Sequence, residues 1–125
     1  MNIRDTIIIL YLMKRSAQSM LKEYKFDGLD LDFEFPQAQD KANFAQWVKE
    51  LKADLTPHGL ELTAAISASE TYIKAGLDVP TISANLDAIH IMAYDFHGSW
   101  ETTADHHASL YKRSWDKNGF YVENG

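Results

Sequence analysis

The 125-residue chain has no cysteine, which excludes a disulfide scaffold, a thiolate metal site and a cysteine nucleophile. Basic residues are also scarce: 12 Lys and Arg stand against 18 Asp and Glu, giving a formal net charge of −6. A nucleic-acid partner needs a basic face to meet its phosphates, and none is visible, so no nucleic-acid partner is expected. Long hydrophobic runs are missing too. The run at residues 7–13 (IIILYLM) is closed by Lys14 and Arg15, and falls far short of the roughly 20 residues a bilayer span requires. No small-residue cleavage site follows it. Neither a membrane span nor an export signal is therefore expected, and the run reads as a buried strand or a turn of helix. With 3 prolines and 6 glycines, the chain carries no linker, repeat or low-complexity tract. Its hydrophobic share, 46%, is enough for a packed core within one domain.

The hydrophobic period changes along the chain. Over residues 14–25 (KRSAQSMLKEYK), Ala17, Met20, Leu21 and Tyr24 recur at helical spacing among good helix formers. Residues 26–35 (FDGLDLDFEF) alternate strictly, as a strand does, and Pro36 ends the run. Residues 40–55 return to a helical stripe of Phe44, Trp47, Val48, Leu51 and Leu55, with Gly59 placed just past its end. A short strand at 60–67 follows, and then a weaker helical or loop segment over 70–84, interrupted by Gly76 and Pro80. Residues 86–96 (LDAIHIMAYDF) are apolar nearly throughout, which predicts a strand covered on both faces, as in a parallel sheet. The stretch 97–125 reads as a long loop. Helix and strand thus alternate, which implies an α/β fold with three parallel strands and intervening helices.

The acidic strand carries the chemistry. Side chains two residues apart on a strand share a face, so Asp30, Asp32 and Glu34 point one way and Leu29, Leu31, Phe33 and Phe35 the other. Successive carboxylates then sit on backbones about 6.6 Å apart. Anions at that spacing repel, and burial adds a desolvation cost, so at least one proton is expected to be retained near neutral pH. Three readings fit the residues alone. The row is an acid/base set for glycoside hydrolysis, a hard-cation site, or the solvated face of an edge strand. The apolar opposite face argues against the last.

The stretch Asp27-Gly28-Leu29-Asp30-Leu31-Asp32-Phe33-Glu34 resembles the D-G-x-D-x-D-x-E signature of the glycoside hydrolase family eighteen chitinases. Further on, Met92-Ala93-Tyr94-Asp95 and the residues through Trp100 resemble that family's M-x-Y-D segment and its following loop. The tail from Asp105 to Tyr111 resembles the corresponding loop of the animal, particularly insect, enzymes.

The resemblance implies a partial TIM (β/α)8 barrel, with residues 1–125 a fragment of the catalytic domain that holds roughly its fourth to sixth strands and the following loop. It implies hydrolysis of β-1,4-linked N-acetylglucosamine polymers by a retaining, substrate-assisted route, with no cofactor and no metal. Glu34 would be the general acid. Asp32 would hydrogen-bond Glu34 and orient the substrate's N-acetyl group, and Asp30 would sit behind Asp32. Tyr94 and Asp95 would bind the acetamido group, Met92 would line the same wall, and Trp100 would stack on a sugar ring. Chitin or chito-oligosaccharides would be the partners, and the parent protein would act outside the cell. A non-catalytic chitin-binding relative is the alternative, although the presence of Glu34 favours catalysis.

Phe33 and Phe35 stand where the family often has Trp and Tyr, off the carboxylate face. The S-x-G-G strand and a late tryptophan strand are missing. Three strands alone leave open barrel edges through which copies could self-associate. Trp47 reads as core packing, Asp27 as structural, and Tyr111 and Trp115 as parts of the tail. His97 reads as a site neighbour or a loop anchor, and His106 and His107 as solvated loop residues.

Overall fold

The computed structural model describes residues 3–116, with side chains from residue 12 onward. Within them the order is α1 (Ile3–Tyr24), β1 (Gly28–Asp32), α2 (Lys41–Leu55), a 3-10 turn at Thr56–His58, β2 (Glu61–Ser67), α3 (Glu70–Gly76), α4 (Val79–Asn85) and β3 (Ala88–Met92). The strands form one parallel sheet in the order β1-β2-β3. Parallel neighbours need crossovers, and these are supplied by α2 and by the α3–α4 pair. The α/β architecture expected from the alternating period is the one found.

Chain reversals have local causes. α1 closes with Lys25 in the left-handed region (φ 56) and the Phe26 N–H bonding back to the Leu21 carbonyl at 3.1 Å, the Schellman arrangement that usually uses glycine. After α2 and its 3-10 turn, Gly59 takes φ 68, as its position past the helix end predicts. α4 starts at Asp78, whose carboxylate accepts from the Thr81 hydroxyl at 2.7 Å and the Thr81 N–H at 3.4 Å, with Pro80 in the first turn, where its missing N–H costs nothing.

The core lies between the sheet and its helices. From α2 come Phe44, Val48, Leu51 and Leu55, from α1 Leu21, from the sheet Leu31, Leu62 and Ala64, and from the later segments Leu77 and Ile82. This is the predicted α2 stripe with Trp47 at its margin, partly buried against the cluster. Lys14 ties α1 to α2 through Glu50 at 2.9 Å and Asp54 at 3.1 Å. At the start of β3, the Asp87 carboxylate accepts from the Leu62 N–H at 2.7 Å and from Lys52 at 2.6 Å, pinning β3 to β2 and α2.

Four expectations need correction. The first helix begins at Ile3, not at residue 14, so the apolar run at 7–13 is helical. Of that run, Leu12 and Met13 are exposed, and the burial of residues 7–11 lies outside the described side chains. β1 ends at Asp32 and β3 at Met92; hydrogen bonding stops before the alternating pattern does, leaving Glu34 and Tyr94 beyond the strand ends. The weak segment at 70–84 is two short helices, broken where Gly76 and Pro80 stand. Finally, β3 is not covered: Ile89 is 37% and Ile91 59% exposed, and every residue of the strand except Met92 is exposed. The loop expected after β3 is seen over residues 97–116, and 117–125 lie outside the described residues.

Candidate active site

Strand register assembles the face of the sheet turned away from the helices. Asp30 pairs with Thr63, Asp32 with Ala65, Ala65 with His90, and Ser67 with Met92. Because parity is shared across a parallel ladder, Asp30, Asp32, Thr63, Ser67, His90 and Met92 all leave this one face. Asp30 Oδ1 accepts from the Thr63 hydroxyl at 2.5 Å and lies 3.8 Å from His90 Nε2. The structure therefore brings together the acidic strand and the M-x-Y-D strand, the two segments singled out in the sequence. His90 is a neighbour that sequence reasoning missed; its parity with Met92 was the available signal.

Each motif glycine and aromatic has a mechanical reason. A Cβ on Gly28 would stand 2.4 Å from the Glu61 carbonyl oxygen, so only glycine allows β2 to run this close to the start of the acidic strand. After Asp32 the chain leaves the sheet, and Glu34 is exposed, with a cis peptide linking it to Phe35. Phe33 leans on Phe44 with ring centroids 6.0 Å apart, and Phe35 stacks on Tyr72 at 4.8 Å. Pro36 meets Gly76, whose Cβ position would fall 1.8 Å from the Pro36 carbonyl oxygen. The Glu34 turn is thus clamped from behind by α2 and α3 while its carboxylate stays in solvent. Asp32 and Glu34 are both exposed at this end of the sheet.

Beyond β3, Tyr94 and Asp95 are exposed, and Asp95 takes φ 57. His107 Nε2 lies 3.0 Å from Asp95 Oδ1, and its ring stacks on Tyr94 at 6.3 Å with planes 22° apart. His107 is therefore exposed but not idle; sequence reasoning missed a contact made across twelve positions. Trp100 is 61% exposed and lies over Gly98, where a Cβ would come within 2.3 Å of the indole. It stands on the loop rather than on the sheet face.

His97 is the loop anchor. Its Nδ1 is 2.8 Å from Glu101 Oε2 and its Nε2 3.9 Å from Asp105. Arg113 hydrogen-bonds Asp116 and Asp105 and stacks over Trp115 at 5.3 Å. His97, Asp105 and Asp116 bring ligand atoms within 4.8 Å of one another. However, Arg113 already supplies the positive charge, and its hydrogen bonds hold both carboxyls below the usual carboxylate range. The cluster is a salt-bridged loop staple.

Residues 13–124 match the sequence profile of glycosyl hydrolases family 18. The chain belongs to this family. It is 44% identical over 101 residues to a protein named probable chitinase 2 of Drosophila melanogaster, covering 77% of this chain and 21% of that protein. Among solved structures, catalytic domain 2 of a Group II chitinase from Ostrinia furnacalis superposes with a TM-score of 0.81 at 38% identity, over 87% of this chain and 31% of that one. Human YKL-39, described as a pseudo-chitinase that retains chitooligosaccharide binding, superposes at 0.79 with 28% identity, over 87% of this chain and 33% of that one. The family-18 neighbours are (β/α)8 barrels, and the three parallel strands with their helices correspond to part of such a barrel. The chain spans about a fifth of the length of the Drosophila relative. No helix among the described residues is long and apolar enough to cross a membrane.

Proposed function

We propose that this family-18 chain carries the acid row and part of the sugar wall of a chitinase-type glycoside hydrolase that cleaves β-1,4-linked N-acetylglucosamine polymers. The observation that carries the reading is the shared sheet face. Asp30 and Asp32 lead to Glu34 at one end of β1, and Met92 leads to Tyr94 and Asp95 at the same end of β3. A carboxylic acid and an acetamide-binding wall at the same end of the sheet, on strands separated only by β2, are what substrate-assisted hydrolysis needs, and strand C-terminal ends are where barrel enzymes hold their chemistry.

In this reading the Glu34 carboxyl gives its proton to the glycosidic oxygen as the C1–O bond breaks. The carbonyl oxygen of the substrate's own N-acetyl group bonds to C1 and forms an oxazolinium. Water, losing a proton to the Glu34 carboxylate, then opens that ring, so configuration is retained. Asp32 orients the acetamide nitrogen, Asp30 supports Asp32, and Tyr94 and Asp95 hold the acetamide. Met92 lines the wall, and Trp100 offers an aromatic face to a pyranose. The strands correspond to the fourth to sixth of the family barrel, and a polymer substrate places the parent protein outside the cell.

The test is chromophore release from an N-acetylchitobioside by the chain and by its Glu34→Gln variant. We expect Gln to lower release by about a hundred- to ten-thousandfold; equal release by both would overturn the role of Glu34. A second reading, oligosaccharide binding without turnover, is favoured by the likeness to the human pseudo-chitinase and by the solvent-open Glu34 turn. It requires sugar affinity with no Glu34-dependent product. The uncovered side of β3 further supports self-association, with Ile89 and Ile91 of two copies packing together. Sedimentation of Ile91→Lys would then show a smaller species than the wild type.

A further inference from the structure

Three consecutive residues after β3 are held by one histidine. The Phe96 N–H donates to the His107 carbonyl at 2.9 Å, Asp95 Oδ1 lies 3.0 Å from His107 Nε2, and the Tyr94 ring stacks on the imidazole. A carboxylate only accepts hydrogen bonds, so Nε2 must carry the hydrogen. Asp95 sits in the left-handed region at φ 57, which non-glycine residues occupy at a cost unless neighbours hold them there. Phe96 is fully buried and anchors the segment from below, while the Asp95 and His107 side chains are 67% and 59% exposed. Among the described residues, His107 is what holds the Asp95 and Tyr94 side chains.

We propose that His107 is a positioning residue, which fixes the Asp95 carboxylate by Nε2–H donation and the Tyr94 ring by stacking, so that both face the acetamido group of a bound sugar. This rests on the carbohydrate role given above to Tyr94 and Asp95. The restraint comes from a loop that Arg113 staples shut through Asp105 and Asp116, so the loop is held in place before any ligand arrives. His107 itself touches no reacting atom. Removing it frees two side-chain orientations that binding must then order again, and the loss therefore falls on affinity.

Two measurements decide this. Nitrogen-15 shifts of the imidazole should report the Nε2–H tautomer for His107 in the wild type, and a mixture of tautomers in Asp95→Ala. Titration with tri-N-acetylchitotriose should show His107→Ala binding about three- to tenfold more weakly, a modest effect because the contact is exposed. His107→Gln, whose amide N–H can reach the same carboxylate, should recover most of that loss. An unchanged tautomer in Asp95→Ala, or Gln no better than Ala, would overturn the proposal. If the wild type binds no sugar, the functional reading fails and takes the sugar-facing role of His107 with it, whereas the tautomer still decides whether His107 holds Asp95.

Discussion

The helix-facing columns of β2 and β3 are both apolar, yet their fates differ. On β2, Leu62 and Ala64 are fully buried beneath the helices; on β3, Ile89 and Ile91, the register partners of Ala64 and Ile66, are 37% and 59% exposed. Side-chain apolarity is as high on β3 as on β2, so the difference comes from cover. α2 and α3 both pack on β2, and α4 packs on α2, whereas the β3 side chains stay open to solvent. Burial of an apolar strand is thus a property of its neighbours, and β3 presents a surface ready to receive another layer.

Four substitutions test that contrast, in decreasing order of expected effect. Leu62→Ala removes a fully buried side chain and should cost about 2–5 kcal/mol in urea denaturation. A loss below about 1 kcal/mol would mean that β2 is not the packed centre. Gly76→Ala places a methyl group against the Pro36 carbonyl, and overpacking of this kind costs about 1–3 kcal/mol; it should also loosen the Glu34 turn, seen as shifted Phe35 and Tyr72 resonances.

Asp87→Asn removes the ion pair with Lys52 that ties α2 to the start of the uncovered strand β3, with an expected cost of about 0.5–1 kcal/mol. The Lys52 hydrogen bond lowers the folded pKa of Asp87. Its contribution is therefore present above the unfolded value of roughly 3.9 and fades as pH falls through the lower folded value. Stability of the wild type should drop more steeply than that of Asp87→Asn on acidification below about pH 4, and parallel curves would remove the linkage. Ile91→Ala should change stability by less than about 0.5 kcal/mol. A large loss there would mean that β3 is covered after all.

The same contrast explains how far the sequence could be read. Alternation at Leu29, Leu31 and Leu62, and the α2 stripe ending at Leu55, are local patterns with local causes, and they located the elements. The acidic row and Met92 were legible because parity carries across a parallel ladder. The limits were non-local. Alternation through Glu34 outlasts the hydrogen-bonded strand, since pairing depends on where the neighbouring strand runs. The continuous apolarity of β3 suggested cover that only a neighbouring element can provide. His107 looked like a solvated loop residue because nothing near it in sequence reveals that the loop folds back onto Asp95. Lys25 ends α1 in a conformation that usually calls for glycine, so composition gave no sign of it.

In the function proposed above, the two faces of the sheet divide the work, with one packing on helices and the other meeting sugar. Chemical-shift mapping of the chain on addition of tri-N-acetylchitotriose tests it most directly. The largest shifts are expected at Asp32, Glu34, Met92, Tyr94 and Asp95, with Leu31, Leu62 and Ala64 unmoved. Shifts confined to the exposed Ile89 and Ile91 side, or none at all at saturating sugar, would contradict it.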